Sequence, residues 1–212
     1  MAKKKSKGLK IKSYFSKGTK HPFDSITWVL RDAVIKGKKN KIVFEQKNVK
    51  VPEFWTDQTL AIVCSKYFGG SGTARETGVD AMIKRVASTI ADWGKEQKYF
   101  KTAQDAKVFD AELCHLLVHQ MMSFNSPVWF NLGLKEKPQT SACFILSVKD
   151  NMTHIGNNML TEMKIFRWGS GCGSNRSVLR GSMELISEGG VASGPVLFIL
   201  IYDVEAGVEV RW

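Results

Sequence analysis

The chain lacks most of what marks a secreted, membrane-bound or metal-clustered protein. Its four cysteines, Cys64, Cys114, Cys143 and Cys172, are scattered over 212 residues without a Cys-x-x-Cys pair. That spacing argues against a zinc knuckle and against a disulfide-stapled secreted scaffold. No apolar run approaches the length of a bilayer span. The lysine-rich start carries no apolar stretch of the kind a secretory signal needs, so a cytoplasmic protein with no membrane partner is expected. Acidic residues are scarce at one end only: residues 1–50 hold 15 Lys/Arg against 3 Asp/Glu, and residues 51–212 hold 16 against 17. The formal net charge of +11 therefore belongs to the N-terminal quarter. Residues 1–20 read as a basic, flexible arm. No aromatic-interleaved basic face or nucleic-acid motif follows it, so nucleic acid is not expected as a partner.

What is present is enough for a packed core, with 43% hydrophobic and 10% aromatic residues. Ile26-Thr27-Trp28-Val29-Leu30 and Ala33-Val34-Ile35 read as short strands, and Lys41-Ile42-Val43-Phe44-Glu45 returns after a polar turn as a small β-hairpin. Thr56 or Asp57 is a plausible N-cap for a helix through Leu60, Ile62, Val63 and Tyr67. Val79, Met82, Ile83, Val86, Ile90 and Trp93 recur at three- and four-residue spacing and predict a second helix. A third is predicted over residues 103–122. His115 and His119 share a face of it, without the neighbouring glutamate of a metalloprotease pattern, and read as ordinary half-buried histidines. Residues 21–123 thus form an α-rich module. From Asn125 the texture changes: a Ser126-Pro127 turn, a strand at Cys143, a helix over 153–166, a glycine loop and an apolar run at 196–202 alternate as in an α/β architecture.

Two segments carry chemistry. In Ser141-Ala142-Cys143-Phe144-Ile145-Leu146-Ser147-Val148 a cysteine heads an apolar strand, with Ala142 and Phe144 on one face and Cys143 on the other. A thiol there can enter a cleft, but a two-electron reduction needs a second thiol, because it ends in a disulfide. In Gly169-Ser170-Gly171-Cys172-Gly173-Ser174-Asn175 alternating glycines let a ligand approach the backbone and present N–H groups to an anion. It is neither a Walker A loop nor a dinucleotide fingerprint. Cys172, between two glycines, is a poor partner for Cys143. Arg180 can grip a phosphate, and Asp150 can accept from ribose hydroxyls. Taken singly, Cys143 reads equally as core, the glycines as a tight turn, and the two charges as surface residues.

Taken in order, with Asn125-Ser126-Pro127-Val128-Trp129-Phe130-Asn131 upstream, these segments resemble the N-terminal part of a ribonucleotide reductase catalytic subunit of the adenosylcobalamin-dependent class II family. Trp28 through Glu45, Val51-Pro52 with Trp55, Ala61 to Phe68, Gly169 through Ser182 and Gly190 to Pro195 add to the resemblance. It implies a vitamin B12-dependent ribonucleoside-diphosphate reductase that makes deoxyribonucleotides for DNA synthesis by thiyl-radical chemistry. It also implies a helical domain over residues 21–123 followed, over 124–212, by the first strands of an incomplete ten-stranded α/β barrel. Cys143 would be one of two redox cysteines. Ser126, Ala142, Cys143, Ser170 and Gly171 would line the ribonucleotide substrate. Asp150, Asn151 and Arg180 would form the allosteric site for a deoxynucleoside triphosphate effector. Adenosylcobalamin, a thioredoxin-type reductant and a homodimer are the associates the family brings.

The radical cysteine, the second redox cysteine and most of the cobalamin surface of the family have no counterpart in this sequence. After Ala206-Gly207 the family's Lys-Ser-Gly-Gly-type segment is replaced by Val208-Glu209-Val210-Arg211-Trp212. A truncated and inactive fragment is therefore expected. The alternatives are a non-catalytic nucleotide-binding remnant and a piece of a class I large subunit.

Overall fold

The computed structural model describes residues 8–17, 21–187 and 189–209. The chain forms two compact units, Met1–Thr140 and Ser141–Trp212. The dividing point falls after the Asn125 motif, which is part of the first unit rather than the opening of the second.

In the first unit the two short strands expected before the lysine-rich turn are one continuous strand, β1 (Trp28–Lys36). It pairs antiparallel with β2 (Ile42–Pro52), from Trp28↔Pro52 to Lys36↔Ile42, with register shifts that bend the ribbon. Lys39 and Asn40 take positive φ at the tip. Ala33, Val49 and Val51 point inward and are fully buried. Helix α1 (Asp57–Tyr67) starts at Thr56, whose side chain accepts from the Thr59 amide. Helix α2 (Val79–Glu96) buries the predicted stripe of Val79, Met82, Ile83 and Val86. Helix α3 (Ala103–Val118) opens on a capping box between Thr102 and Asp105. Cys64 and Cys114 are core residues, and burial pushes both thiols up to about 12. His115 and His119 are half-buried, with ring centroids 4.2 Å apart, and stack on Phe15 and Phe54.

The Ser126-Pro127 segment is not a turn but a short helix, α4 (Ser126–Asn131). Asn125 caps it, and proline in the first turn lacks only an N–H that no helix would use there. Arg85 gathers the surrounding chain ends. Its guanidinium donates to the carbonyls of Leu132 at 2.7 Å, Trp129 at 3.2 Å and Tyr67 at 3.3 Å, and pairs with Glu76 at 2.7 Å.

Residues 8–17 of the expected flexible arm are docked on α3, while residues 1–7 and 18–20 lie outside the described residues. The Ile11 amide donates to Asp105, and the amides of Tyr14, Phe15 and Ser16 converge on the Glu112 carboxylate at 2.8–3.2 Å. Partial burial opposes ionisation of Glu112, but these donors and the Ser16 hydroxyl outweigh it and hold the carboxyl at about 2 instead of 4.5. A carboxylate depressed in the folded state stabilises it above the unfolded value and loses that effect as pH falls. Protection of the Tyr14, Phe15 and Ser16 amides against hydrogen exchange should therefore decline between pH 4.5 and 2. Glu112→Ala should abolish it at neutral pH and open Lys12 and Lys17 to trypsin. Unchanged protection in that variant would refute the carboxylate clasp.

The second unit is a β–α–β arrangement. Strand β3 (Cys143–Ser147) runs parallel to β4 (Gly171–Asn175), with Cys143↔Gly171 and Ser147↔Asn175 in register. Helix α5 (Met152–Arg167) connects them, and α6 (Pro195–Glu209) packs on α5. The core is small: Val148, Ile155 and Leu179, with Met159 and Phe198 against it. The glycine segment expected as a loop is thus a strand. Glycine reaches extended backbone as readily as any other, and β3 supplies the hydrogen-bond partners that no local pattern displays. Among the described residues the fold is mixed α/β with no closed barrel, and no helix is long and apolar enough to cross a membrane.

Candidate active site

The site is assembled at the start of the parallel pair. Helix α5 ends at Arg167, and Gly169, with a φ of 74°, reverses the chain just beyond it. Ser170 follows, almost fully buried, and its hydroxyl donates to the Ser141 carbonyl at 2.7 Å. This bond ties the lead-ins of β3 and β4 together and sets their register. Ala142 accepts from the Gly171 amide at 2.8 Å.

Burial alternates along β3 as the pleat requires: Phe144 and Leu146 face α5, whereas Cys143, Ile145 and Ser147 are exposed. Ile145 is 95% exposed, so this face has no cover within its own unit. Across from these residues stand Gly171, Gly173 and Asn175. A Cβ at Gly173 would meet nothing within 4 Å, and one at Gly171 only the Ala142 carbonyl oxygen and Cys143 Sγ, both at 3.9 Å. Neither glycine has a positive φ. Glycine inside a strand is a handicap of about 0.5–1 kcal/mol, and nothing in the unit's own packing demands it. The two glycines instead leave a bare backbone floor beside an accessible thiol.

Cys172 does not share that face. It pairs with Phe144 and points to the α5 side, where burial and the Glu162 carboxylate push its thiol up to about 11. The two cysteines are on opposite sides of the sheet and are free.

Behind the pair lies a polar cluster that sequence reasoning did not single out. Glu162 is buried, accepts from Ser174 at 2.7 Å and pairs with Arg176 at 3.0 Å. The Arg176 guanidinium sits 3.7 Å above the Tyr202 ring of α6. The signal was available: Glu162 falls on the same helical face as Ile155 and Met159, a position that otherwise demands an apolar residue.

The other predicted residues meet at the end of β3. Asp150 pairs with Arg180 at 2.7 Å, and Asn151 caps α5 by accepting from the His154 amide. All three border an open cleft of about 480 Å³ that Ile155, Ser193 and Phe198 also line. Ser126 belongs to the first unit, at the start of α4, with its hydroxyl 3.2 Å from that of Tyr67. The structure thus unites Ala142, Cys143, Ser170 and Gly171 at one end of the sheet, and Asp150, Asn151 and Arg180 around one cleft.

Comparison with known proteins agrees in both units. Residues 30–81 and 71–120 match the family described as class II vitamin B12-dependent ribonucleotide reductase. Residues 141–209 match the ribonucleotide reductase barrel domain. A vitamin B12-dependent ribonucleotide reductase of Streptomyces clavuligerus is 46% identical over 207 residues, covering 96% of this chain and 22% of the relative. Its namesake in Streptomyces coelicolor is 44% identical over 207 residues, 96% of this chain and 21% of the relative. That of Rhodopirellula baltica is 39% identical over 233 residues, 95% and 22%. The chain spans about a fifth of the length of these relatives.

Proposed function

The chain belongs to the class II vitamin B12-dependent ribonucleotide reductase family, and on that premise we propose that it supplies the redox strand and the effector cleft of a ribonucleotide reductase. The observation that carries the reading is the exposed Cys143 beside the glycine floor of β4. In the net reaction the ribose 2′ hydroxyl leaves as water. Two thiols give up two electrons and two protons and become a disulfide, with Cys143 as one of them. A thioredoxin-type dithiol then regenerates the pair. Cys172 is unsuited as the second thiol, since it occupies the opposite face.

In this reading Ala142 and Gly171 border the ribonucleotide, and Ser170 positions the two strand starts. The Asp150–Arg180 pair takes a deoxynucleoside triphosphate, Arg180 turning to phosphate and Asp150 accepting from the sugar. A cleft of about 480 Å³ is of a size for a nucleotide. Adenosylcobalamin, the radical supply, homodimerisation and a cytoplasmic setting are assigned to the complete enzyme.

The isolated 212-residue chain is expected to form no deoxynucleotide from ribonucleotide, adenosylcobalamin and dithiol. Turnover by it would overturn that expectation. In a complete enzyme carrying this segment, Cys143→Ser should abolish turnover yet leave effector binding intact. Arg180→Ala should weaken labelled deoxynucleoside triphosphate by more than about tenfold. Full turnover with Cys143→Ser would reject the redox assignment. It would then favour a second reading, a nucleotide-binding segment without chemistry, which the assembled Asp150–Arg180 cleft on its own supports.

A further inference from the structure

Away from the second unit, the first holds a cluster that the reductase reading leaves unused. Asp110 and Cys114 stand four apart on α3 and so face the same way. The 3-10 turn Pro22–Ser25 packs on that helix and brings the preceding residue, His21, to the same spot. One ligand atom from each of His21, Asp110 and Cys114 lies within 4.8 Å of the others. It is the one group of three or more such donors among the described residues. Independently, His21 Nε2 is buried and has no hydrogen-bond partner among the described residues. Buried ring nitrogens are ordinarily satisfied, so this one is open to a ligand.

We propose that His21, Asp110 and Cys114 bind one zinc-type divalent cation. The donor set of one imidazole nitrogen, one carboxylate oxygen and one thiolate sulfur is that of a borderline-soft ion and not of Mg²⁺ or Ca²⁺. Bonds of about 2.0–2.3 Å place tetrahedral ligand atoms roughly 3.5 Å apart, so the donors close by about an ångström on binding. His21 and Asp110 are only half-buried, leaving an approach for the ion and a fourth position for water. Ser88 already orients the carboxylate, donating to Asp110 at 3.1 Å. Coordination through Nε2 moves the ring proton to Nδ1, which now accepts from the Phe23 amide at a long 3.3 Å. That weak contact and the Cys114 thiol proton are what binding gives up. The bound ion would clamp the chain ahead of β1 onto α3. The His115 and His119 pair, which the sequence makes more conspicuous, has aromatic rings stacked on it and no third donor in such a group.

The test is a titration of the 212-residue chain with Co²⁺, followed by the thiolate-to-cobalt charge-transfer band, and with Zn²⁺ by calorimetry. One-to-one binding with a charge-transfer band is expected, and Cys114→Ser should lose the band. His21→Asn, which keeps a capping side chain, and Asp110→Asn should each weaken Zn²⁺ by at least about tenfold. The double variant His115→Ala/His119→Ala should bind as the parent does. Absence of the band, its survival in Cys114→Ser, or full affinity in both His21→Asn and Asp110→Asn would overturn the site. The last two variants decide the matter if Cys114→Ser does not fold. None of these readouts depends on reductase activity.

Discussion

Arg85→Ala is expected to lower the stability of the first unit by about 3–5 kcal/mol, seen as a melting temperature reduced by roughly 10 °C or more. The side chains of Arg85 and Glu76 are only 11% and 13% exposed. Removing the guanidinium leaves a nearly buried carboxylate without its cation. It also leaves the carbonyls of Tyr67, Trp129 and Leu132 short of a donor, which ties together the ends of α1 and α4. Arg85→Lys should restore little, because one ammonium cannot span the fork that reaches three carbonyls and a carboxylate. A urea titration that finds Arg85→Ala within 1 kcal/mol of the parent, to order of magnitude, would show these contacts to be incidental.

Glu162→Ala should be as damaging to the second unit and show itself differently. The change strands the Arg176 guanidinium, 17% exposed, between α5, β4 and the Tyr202 ring. A loss of about 3–5 kcal/mol approaches the whole stability of a unit whose core, among the described residues, is the small cluster around Val148, Ile155 and Leu179. Amide protection in β4 should collapse while that of α2 stays unchanged. Alkylation of Cys172 should accelerate, since burial and the Glu162 charge, the two largest causes that push its thiol up to about 11, are relieved. Arg176→Ala should be comparably damaging, because it leaves the buried Glu162 carboxylate with only the Ser174 hydroxyl as donor. Intact β4 protection in Glu162→Ala would show that the pair merely fills space.

Much of this protein was readable along the chain because it depends on neighbours in sequence. The apolar stripe of α2, the Thr56 cap, the α5 span and the alternation that turns Cys143 away from Phe144 follow from local periodicity and capping chemistry. The grouping of Asp150, Asn151 and Arg180 came from the family resemblance, and the fold places all three around one cleft. Three features were not readable. Ser126-Pro127 reads as a turn until Asn125 is seen to cap it. The Gly169–Asn175 stretch reads as a loop until β3 is placed beside it. Residues 8–17 read as a tail until Glu112, some 96 positions away, supplies the acceptor.

By itself, then, the sequence determined the helical stripes, the hairpin, the thiol at a strand's head and the family. Tertiary structure alone decided which glycines form a floor, which cysteine is reachable, where Arg85 and Glu162 are buried, and that His21, Asp110 and Cys114 meet. The reason is physical. Periodicity and caps act within a few residues, whereas a parallel register, a buried ion pair or a three-donor cluster joins groups far apart in the chain, and only the folded backbone brings those groups within bonding distance.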